Sequence, residues 1–172
     1  MPKPVCITFA APVGASKTPI ATYLSWNLGL PMWNNDAVRS EIAEDMGSWT
    51  QEELLRRCKE RIPRLLASQR SFIGDVSIDR AWSTYAPWFE QAGYDVCVIF
   101  IDLARDHLER MYQAKGYHDS LLRLDEFIED HRSFVEKHTA LCAIRVTEKE
   151  FSDRLEFVLQ EVKRWLASRE SS

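Results

Sequence analysis

The most informative segment of the chain lies near its start, where residues 5–29 read VCITFAAPVGASKTPIATYLSWNLG. Its first six residues are apolar and partly β-branched, which predicts a buried strand. A loop of small residues follows. A helix is then expected from about Thr18 to Leu28, with Pro19 in its first turn and Gly29 just after its end. A strand, a tight loop and a helix in this order predict the first unit of a parallel α/β sheet.

The loop after the strand comes close to the phosphate-binding pattern G-x-x-x-x-G-K-[ST]. Such a P-loop points backbone N–H groups at phosphate oxygens, and the helix N-terminus adds a partial positive charge. Lys17 would then reach the β- and γ-phosphates, and the Thr18 hydroxyl would coordinate Mg²⁺. Ala11 and Ser16 replace the two glycines, so an ordinary strand–turn–helix with an incidental lysine is the alternative. The predicted nucleotide-binding residues of the loop are Pro12, Val13, Gly14, Ala15, Ser16, Lys17 and Thr18.

The rest of the chain alternates between strand and helix patterns. Short apolar runs predict strands at 31–33, 71–76, 95–101 and 142–146, and helical patterns cover about 35–45, 50–68, 80–91, 105–113 and 123–137. A final helical stripe runs from Phe151 to Leu166. Asn35 or Asp36 is the expected N-cap of the second helix, and Thr50 with Glu53 forms an expected capping box. We expect one domain over residues 1–172, a three-layer α/β/α P-loop NTPase fold with a five-stranded, mostly parallel sheet and a small helical lid at about 105–137.

Composition restricts the class of protein. The 172 residues carry a net charge of −4, which argues against a broad basic surface for duplex nucleic acid. The four cysteines form no C-x-x-C pair, so reduced core thiols are favoured over disulfides or a zinc site. No apolar run reaches the length of a membrane span, and we identify no signal peptide. A cytoplasmic protein is therefore expected.

Polar residues follow the other predicted strands, and in a parallel sheet this is the edge where ligands bind. Asp36 and Arg39 stand three residues apart at a helix start, so they share one face. Asp36 could accept the proton of an attacking hydroxyl, and Arg39 could hold a phosphate or the acceptor. The alternative is a capping aspartate and a solvated arginine. Asp75 ends the third strand, where it could hold Mg²⁺ or cap the next helix.

Basic residues surround the predicted loop Gly116–Ser120. On a mobile lid they would neutralise charge on a transferring phosphoryl group, whereas a solvated helical face is the alternative for any one of them. Arg110 is the preferred lid residue. The basic residues considered are Arg105, Arg110, Lys115 and Arg123.

Together these segments resemble the P-loop kinase superfamily, and most of all the AAA-33-type ATP-binding proteins, which include the kinase domain of phage polynucleotide kinase and relatives of zeta toxins. The resemblance covers about residues 4–146. It rests on the loop at 11–18, the D-x-x-R segment at 35–39, the strand end at 72–75 and Glu109-Arg110. It implies that Asp36 activates the acceptor hydroxyl, that Arg39 helps to bind the acceptor or phosphate, and that Arg110 contacts phosphates, with ATP and Mg²⁺ as cofactors.

Three functions remain open from the sequence. The first is an ATP-dependent phosphotransferase that moves the γ-phosphate to a hydroxyl of a small molecule, a nucleoside or a nucleic-acid 5′ end. The acidic net charge favours a small acceptor over a long polynucleotide. The second is an ATP-binding regulatory protein without transferase activity. The third is a structural domain whose loop binds nothing. The acceptor, the preferred base and the oligomeric state are not determined by the sequence.

Overall fold

A computed structural model describes residues 3–170 of the chain. Its five strands are β1 (Val5–Ala10), β2 (Met32–Asn34), β3 (Phe72–Ser77), β4 (Asp95–Ile101) and β5 (Cys142–Val146). Its helices are α1 (Lys17–Leu28), α2 (Asn35–Met46), α3 (Gln51–Ala67), α4 (Trp82–Gln91), α5 (Arg105–Lys115), α6 (His118–Leu121), α7 (Leu124–Lys137), α8 (Glu148–Phe151) and α9 (Arg154–Glu170), and a 3₁₀ turn covers Thr139–Leu141.

The strands form one parallel sheet in the order β2-β3-β1-β4-β5. Strand β1 is central, and each of its residues from Val5 to Ala10 is paired with β4. All six residues of β1 are buried, because helices cover both faces of the sheet. This burial explains why the run is continuously apolar instead of alternating.

Alternate residues of β1 enter different cores, which produces the three layers. Val5, Ile7 and Phe9 pack into the core that contains the apolar faces of α1 and α9. Cys6 faces the other side of the sheet and packs into the core built by α2, α3 and α4. The predicted three-layer α/β/α fold with a five-stranded sheet is confirmed.

Local details differ from the prediction. The N-cap of α2 is Asn34, because its side-chain oxygen accepts from the backbone N–H groups of Asp36 at 2.6 Å and Ala37 at 3.4 Å. The segment 116–120, expected to be a loop, contains the start of the short helix α6. The last helical stripe is divided into α8 and α9, and a capping box between Thr147 and Glu150 starts α8 before the apolar stripe begins.

Two further observations concern the class of protein. Within residues 3–170, no helix has both the length and the apolar composition needed to cross a membrane. In the same part of the chain the four cysteines are unpaired, and three of them lie in β1, β4 and β5.

Candidate functional site

The phosphate loop leaves the central strand and leads directly into α1, as the sequence predicts. Gly14 has φ +73° and Ser16 has φ +71°, so both lie in the left-handed region. A Cβ atom at Gly14 would come within 2.9 Å of Cε1 of Tyr112. Glycine is therefore required at position 14, both for its backbone conformation and for the tyrosine that packs on it. Ser16 adopts the same region with a side chain, which strains the backbone.

Ala11 stands at the first glycine position of the pattern, and its side chain packs there without a steric clash. Its methyl group is buried in the core with α1. The backbone N–H of Ala11 donates to Ser77 Oγ at 2.9 Å, and the Ser77 hydroxyl donates to the carbonyl oxygen of Ala11 at 2.8 Å. This exchange fixes the start of the loop to the end of β3. The sequence offered one signal for Ser77, a serine at the polar end of a strand.

Side chains bind three carbonyl groups of the loop. Tyr112 donates to the carbonyl oxygen of Val13. Lys115 Nζ donates to that of Gly14 at 2.7 Å, and Lys17 Nζ donates to that of Pro12 at 3.1 Å. Two of these donors come from α5, so the helix at the start of the predicted lid is docked on the phosphate loop.

A cleft of about 900 Å³ opens beside the loop, where β1 and β3 end. It brings together eight of the site residues predicted from the sequence, namely Val13, Gly14, Ser16, Lys17, Thr18, Asp36, Arg39 and Asp75. Its lining consists of Val13, Gly14, Ser16, Lys17, Thr18, Pro19, Asn35, Asp36, Arg39, Gln51, Leu54, Leu55, Cys58, Asp75, Val76, Ser77, Arg80, Ala81, Tyr85, Lys115 and Tyr117.

Asp75 and Thr18 supply oxygen atoms at the loop end of the cleft. Burial raises the pKa of Asp75, and a hydrogen bond from Thr18 and the charge of Lys17 oppose that rise. Asn34 Nδ2 donates to Asp75 Oδ2 at 2.8 Å. The same asparagine caps α2, so it connects Asp75 to the helix that carries Asp36. A carboxylate and a hydroxyl are ligands that suit Mg²⁺. The role of Asn34 was not predicted, although an asparagine directly before a predicted helix is typical of an N-cap.

Lys17 is half-buried among carboxylates. Burial lowers the pKa of its ammonium group, and the negative charges of Asp79 and Asp75 oppose that shift. Asp79 in turn lies 3.7 Å from Nδ1 of His131, whose Nε2 lies 2.5 Å from Asp102 Oδ1. His131 belongs to α7 and is buried. Through Asp79, a helix of the predicted lid is thus close to the surroundings of the loop lysine.

Asp36 and Arg39 form an ion pair where α2 lines the cleft. The side chain of Asp36 is 74% exposed, so it is accessible to a molecule in the cleft. The Arg39 guanidinium lies over the ring of Trp49, with its carbon 5.1 Å from the ring centroid. Arg39 thus contacts both a carboxylate and an aromatic ring.

The lid cations are placed differently from the expectation. Arg110 is exposed on α5, and among the described residues that line the cleft there is Lys115 but not Arg110. Arg105 is bound to Asp125 at 2.7 Å and Glu109 at 2.6 Å. Burial and then the charge of Arg154 lower the pKa of Lys115. Of Arg110 and Lys115, both on α5, Lys115 is therefore the one that contacts the loop. The contact of Arg110 with phosphates stays a prediction.

Arg154 contacts Ser16, the residue that stands at the second glycine position of the pattern. Its Nε donates to Ser16 Oγ at 3.1 Å, and one of its terminal nitrogens donates to the carbonyl oxygen of Phe151 at 2.8 Å. The guanidinium also stacks on the Phe151 ring at 4.2 Å from the centroid. No sequence pattern predicts this contact, because 138 positions separate the two residues.

No protein-family model matches this sequence, and no curated protein matches it. Solved structures do match. A candidate kinase from Chloroflexus aurantiacus is 17% identical with a TM-score of 0.67, and the match covers 98% of both chains. The APS kinase CysC of Mycobacterium tuberculosis, in complex with AMPPNP and APS, is 15% identical with a TM-score of 0.61 over 95% of this chain and 99% of that one. Shikimate kinase from Bacteroides thetaiotaomicron is 16% identical with a TM-score of 0.58 over 95% and 98%.

At such identities the likeness concerns the fold. The closer assignment to AAA-33-type proteins stays a prediction. The chain has the three-layer α/β/α fold of P-loop kinases, with a five-stranded parallel sheet.

Proposed function

We propose that the chain is an ATP-dependent phosphotransferase that moves the γ-phosphoryl group of ATP to a hydroxyl of a small molecule. The observation that carries this proposal is that Lys17, Thr18 and Asp36 line one and the same cleft. Transfer of a phosphoryl group needs in-line positioning and neutralised charge more than covalent catalysis. The kinases that share the fold support the same reaction class.

In the proposed reaction the triphosphate lies along the phosphate loop. Lys17 binds the β- and γ-phosphates, and Lys115, which lies beside Gly14, neutralises charge from the lid side. Thr18 and Asp75 would hold Mg²⁺, which supplies further neutralisation of the phosphate oxygens. The acceptor oxygen forms a bond to the γ-phosphorus while the bond to the β,γ-bridging oxygen breaks. The acceptor's proton passes to Asp36, and the electron pair leaves with ADP.

Thermal unfolding with and without ATP–Mg²⁺ tests the binding half of the proposal. We expect millimolar ATP–Mg²⁺ to raise the melting temperature of the wild type, because a ligand of the folded state stabilises it. Lys17→Ala should remove that rise. Lys163→Ala is the matched control, since Lys163 is exposed on α9 and should leave the rise intact. No rise in the wild type would refute nucleotide binding.

Transfer is tested by ADP release and by a labelled γ-phosphate on a panel of hydroxyl compounds. Phosphorylation of an acceptor should be lost in Asp36→Asn while the ATP-induced rise in melting temperature persists. The second candidate function is an ATP-binding regulator. The strained backbone at Ser16, directly before the loop lysine, is the observation that favours it. Binding of ATP with no Asp36-dependent transfer or hydrolysis would support the regulator and contradict the phosphotransferase.

A further inference from the structure

The end of the cleft that holds Asp36 has an apolar wall. Leu54, Leu55 and Cys58 lie on one side of α3, and Tyr85 of α4 completes the wall. Leu54 and Cys58 are buried, whereas Leu55 is 51% exposed although it lines the cleft. A large aliphatic side chain kept in water beside a charged pair is a surface ready to bind an apolar group.

Two polar side chains near this wall make contacts within the protein. The Asn35 side-chain oxygen accepts from Nε1 of Trp33 at 2.9 Å. Arg39 is bound to Asp36 and stacked on Trp49. A polyhydroxylated acceptor that packs on this wall would bring hydroxyl groups against Leu54 and Leu55, whose side chains offer them no hydrogen-bond partner. Each unmatched polar group would weaken binding.

Resting on the proposed phosphotransferase function, we propose that the acceptor is an amphiphilic alcohol, with one hydroxyl next to a flat apolar or aromatic body. The apolar body packs on Leu55, Leu54 and Tyr85, and the reacting hydroxyl points to Asp36. Arg39 then binds a polar group of the acceptor. This wall excludes simple polyols as preferred acceptors, because they would leave Leu55 in contact with hydroxyl groups.

A matched pair of probes tests the acceptor class. Phenyl β-D-glucoside and glucose carry nearly the same hydroxyl groups, and thymidine and deoxyribose form a second pair that differs by an apolar ring. Dissociation constants are measured by calorimetry with ATP–Mg²⁺ analogue present. We expect the ring-bearing member of at least one pair to bind roughly tenfold or more tightly, as burial of one face of a ring predicts. Equal or tighter binding of both free sugars would overturn the proposal.

Two variants connect the preference to the wall. Leu55→Asn should reduce the preference for the ring-bearing probe by roughly fivefold to tenfold, because it removes apolar contact at nearly constant size. It should leave the affinity for ATP unchanged. Leu122→Asn is the matched control, since Leu122 is 88% exposed and lies outside the cleft lining. An unchanged preference in Leu55→Asn would contradict the inference.

The outcome also separates this inference from the proposed function. The four probes are tested at ~10 mM, a concentration far above usual substrate affinities. If ATP binds in a manner that needs Lys17 but none of the probes binds, the amphiphilic acceptor is refuted and the nucleotide site remains. If ATP itself does not bind, the proposed function fails, independently of any result on Leu55.

Discussion

The hydrogen bond between Ser16 and Arg154 leads to a prediction about Ser16→Gly. Whether this substitution lowers or raises the free energy of unfolding should depend on whether Arg154 is present. Ser16 holds a left-handed backbone at φ +71°, where a residue with a side chain is disfavoured by about 1–2 kcal/mol. Its hydroxyl accepts from Arg154 Nε at 3.1 Å. A hydrogen bond from a charged group contributes about 1.5–3 kcal/mol, and we take the lower end because Arg154 is half-buried.

These magnitudes predict the effect of two substitutions. Ser16→Ala keeps the strain and loses the bond, so the free energy of unfolding should fall by about 1.5 kcal/mol. Ser16→Gly also loses the bond but relieves the strain. Because glycine has more freedom in the unfolded chain, the net relief is about 0.5–1 kcal/mol. Ser16→Gly should therefore be less destabilising than Ser16→Ala.

The same substitutions in an Arg154→Met background test the cause. The hydrogen bond is already absent there, so Ser16→Ala should be nearly neutral. Ser16→Gly should become stabilising and raise the melting temperature by about 1–4 °C for a chain of this size. The assay is thermal unfolding followed by circular dichroism, with Arg164→Met as the control, because Arg164 is an exposed arginine of the same helix.

Two results would refute the reasoning. If Ser16→Ala destabilises equally with and without Arg154, the bond does not support the loop. If Ser16→Gly lowers the melting temperature in the Arg154→Met background, the left-handed backbone is not a source of strain. The affinity for ADP should follow the same order among the variants, because the loop backbone that is strained also binds phosphate.

Three further predictions concern the surroundings of the loop. Gly14→Ala should lower the free energy of unfolding by about 1–3 kcal/mol and abolish the ATP-induced rise in melting temperature, because its φ is +73° and the new Cβ meets a tyrosine ring at 2.9 Å. Asn34→Ala should lower the free energy of unfolding in urea by about 1 kcal/mol, because the helix cap is lost. Asn34→Asp keeps the cap oxygen but places a second carboxylate beside Asp75, so it should lower the free energy of unfolding less at pH 4 than at pH 8. Burial disfavours the charged form of His131, but Asp102 and Asp79 outweigh burial and raise its pKa. The stability that His131→Gln removes should therefore be greatest below the unfolded value of about 6.5 and decline as pH rises through the raised folded value, and a constant difference would contradict this.

The central part of the fold could be predicted because its signals are local. The run 95–101 matches β4 residue for residue, and the run 142–146 matches β5, since both are short apolar segments bounded by turns. Helix ends were less predictable. The cap at Asn34 depends on where a three-residue edge strand stops, which only the pairing of that strand with β3 determines.

The candidate site divides in the same way. Lys17 and Thr18 follow from one contiguous motif, and Asp36, Arg39 and Asp75 follow from the rule that ligands bind beyond the carboxyl ends of parallel strands. Which basic residue of α5 contacts the loop could not be predicted in this way. Lys115 and Arg110 are both basic residues of α5, and their distinction depends on which side of the helix faces the loop.

From the chain alone we could predict the order of strands and helices, the loop at 11–18 and the residues that follow the strands, because each of these depends on neighbours along the chain. The support of the loop, in contrast, depends on tertiary contacts. Ser77, Tyr112, Lys115 and Arg154 lie 66 to 138 positions from the loop residues that they bind, and pairing of β3 with β1 and packing of α5 and α9 bring them together. Contacts of this range leave no periodicity or spacing in a single sequence, so they could not be predicted from it.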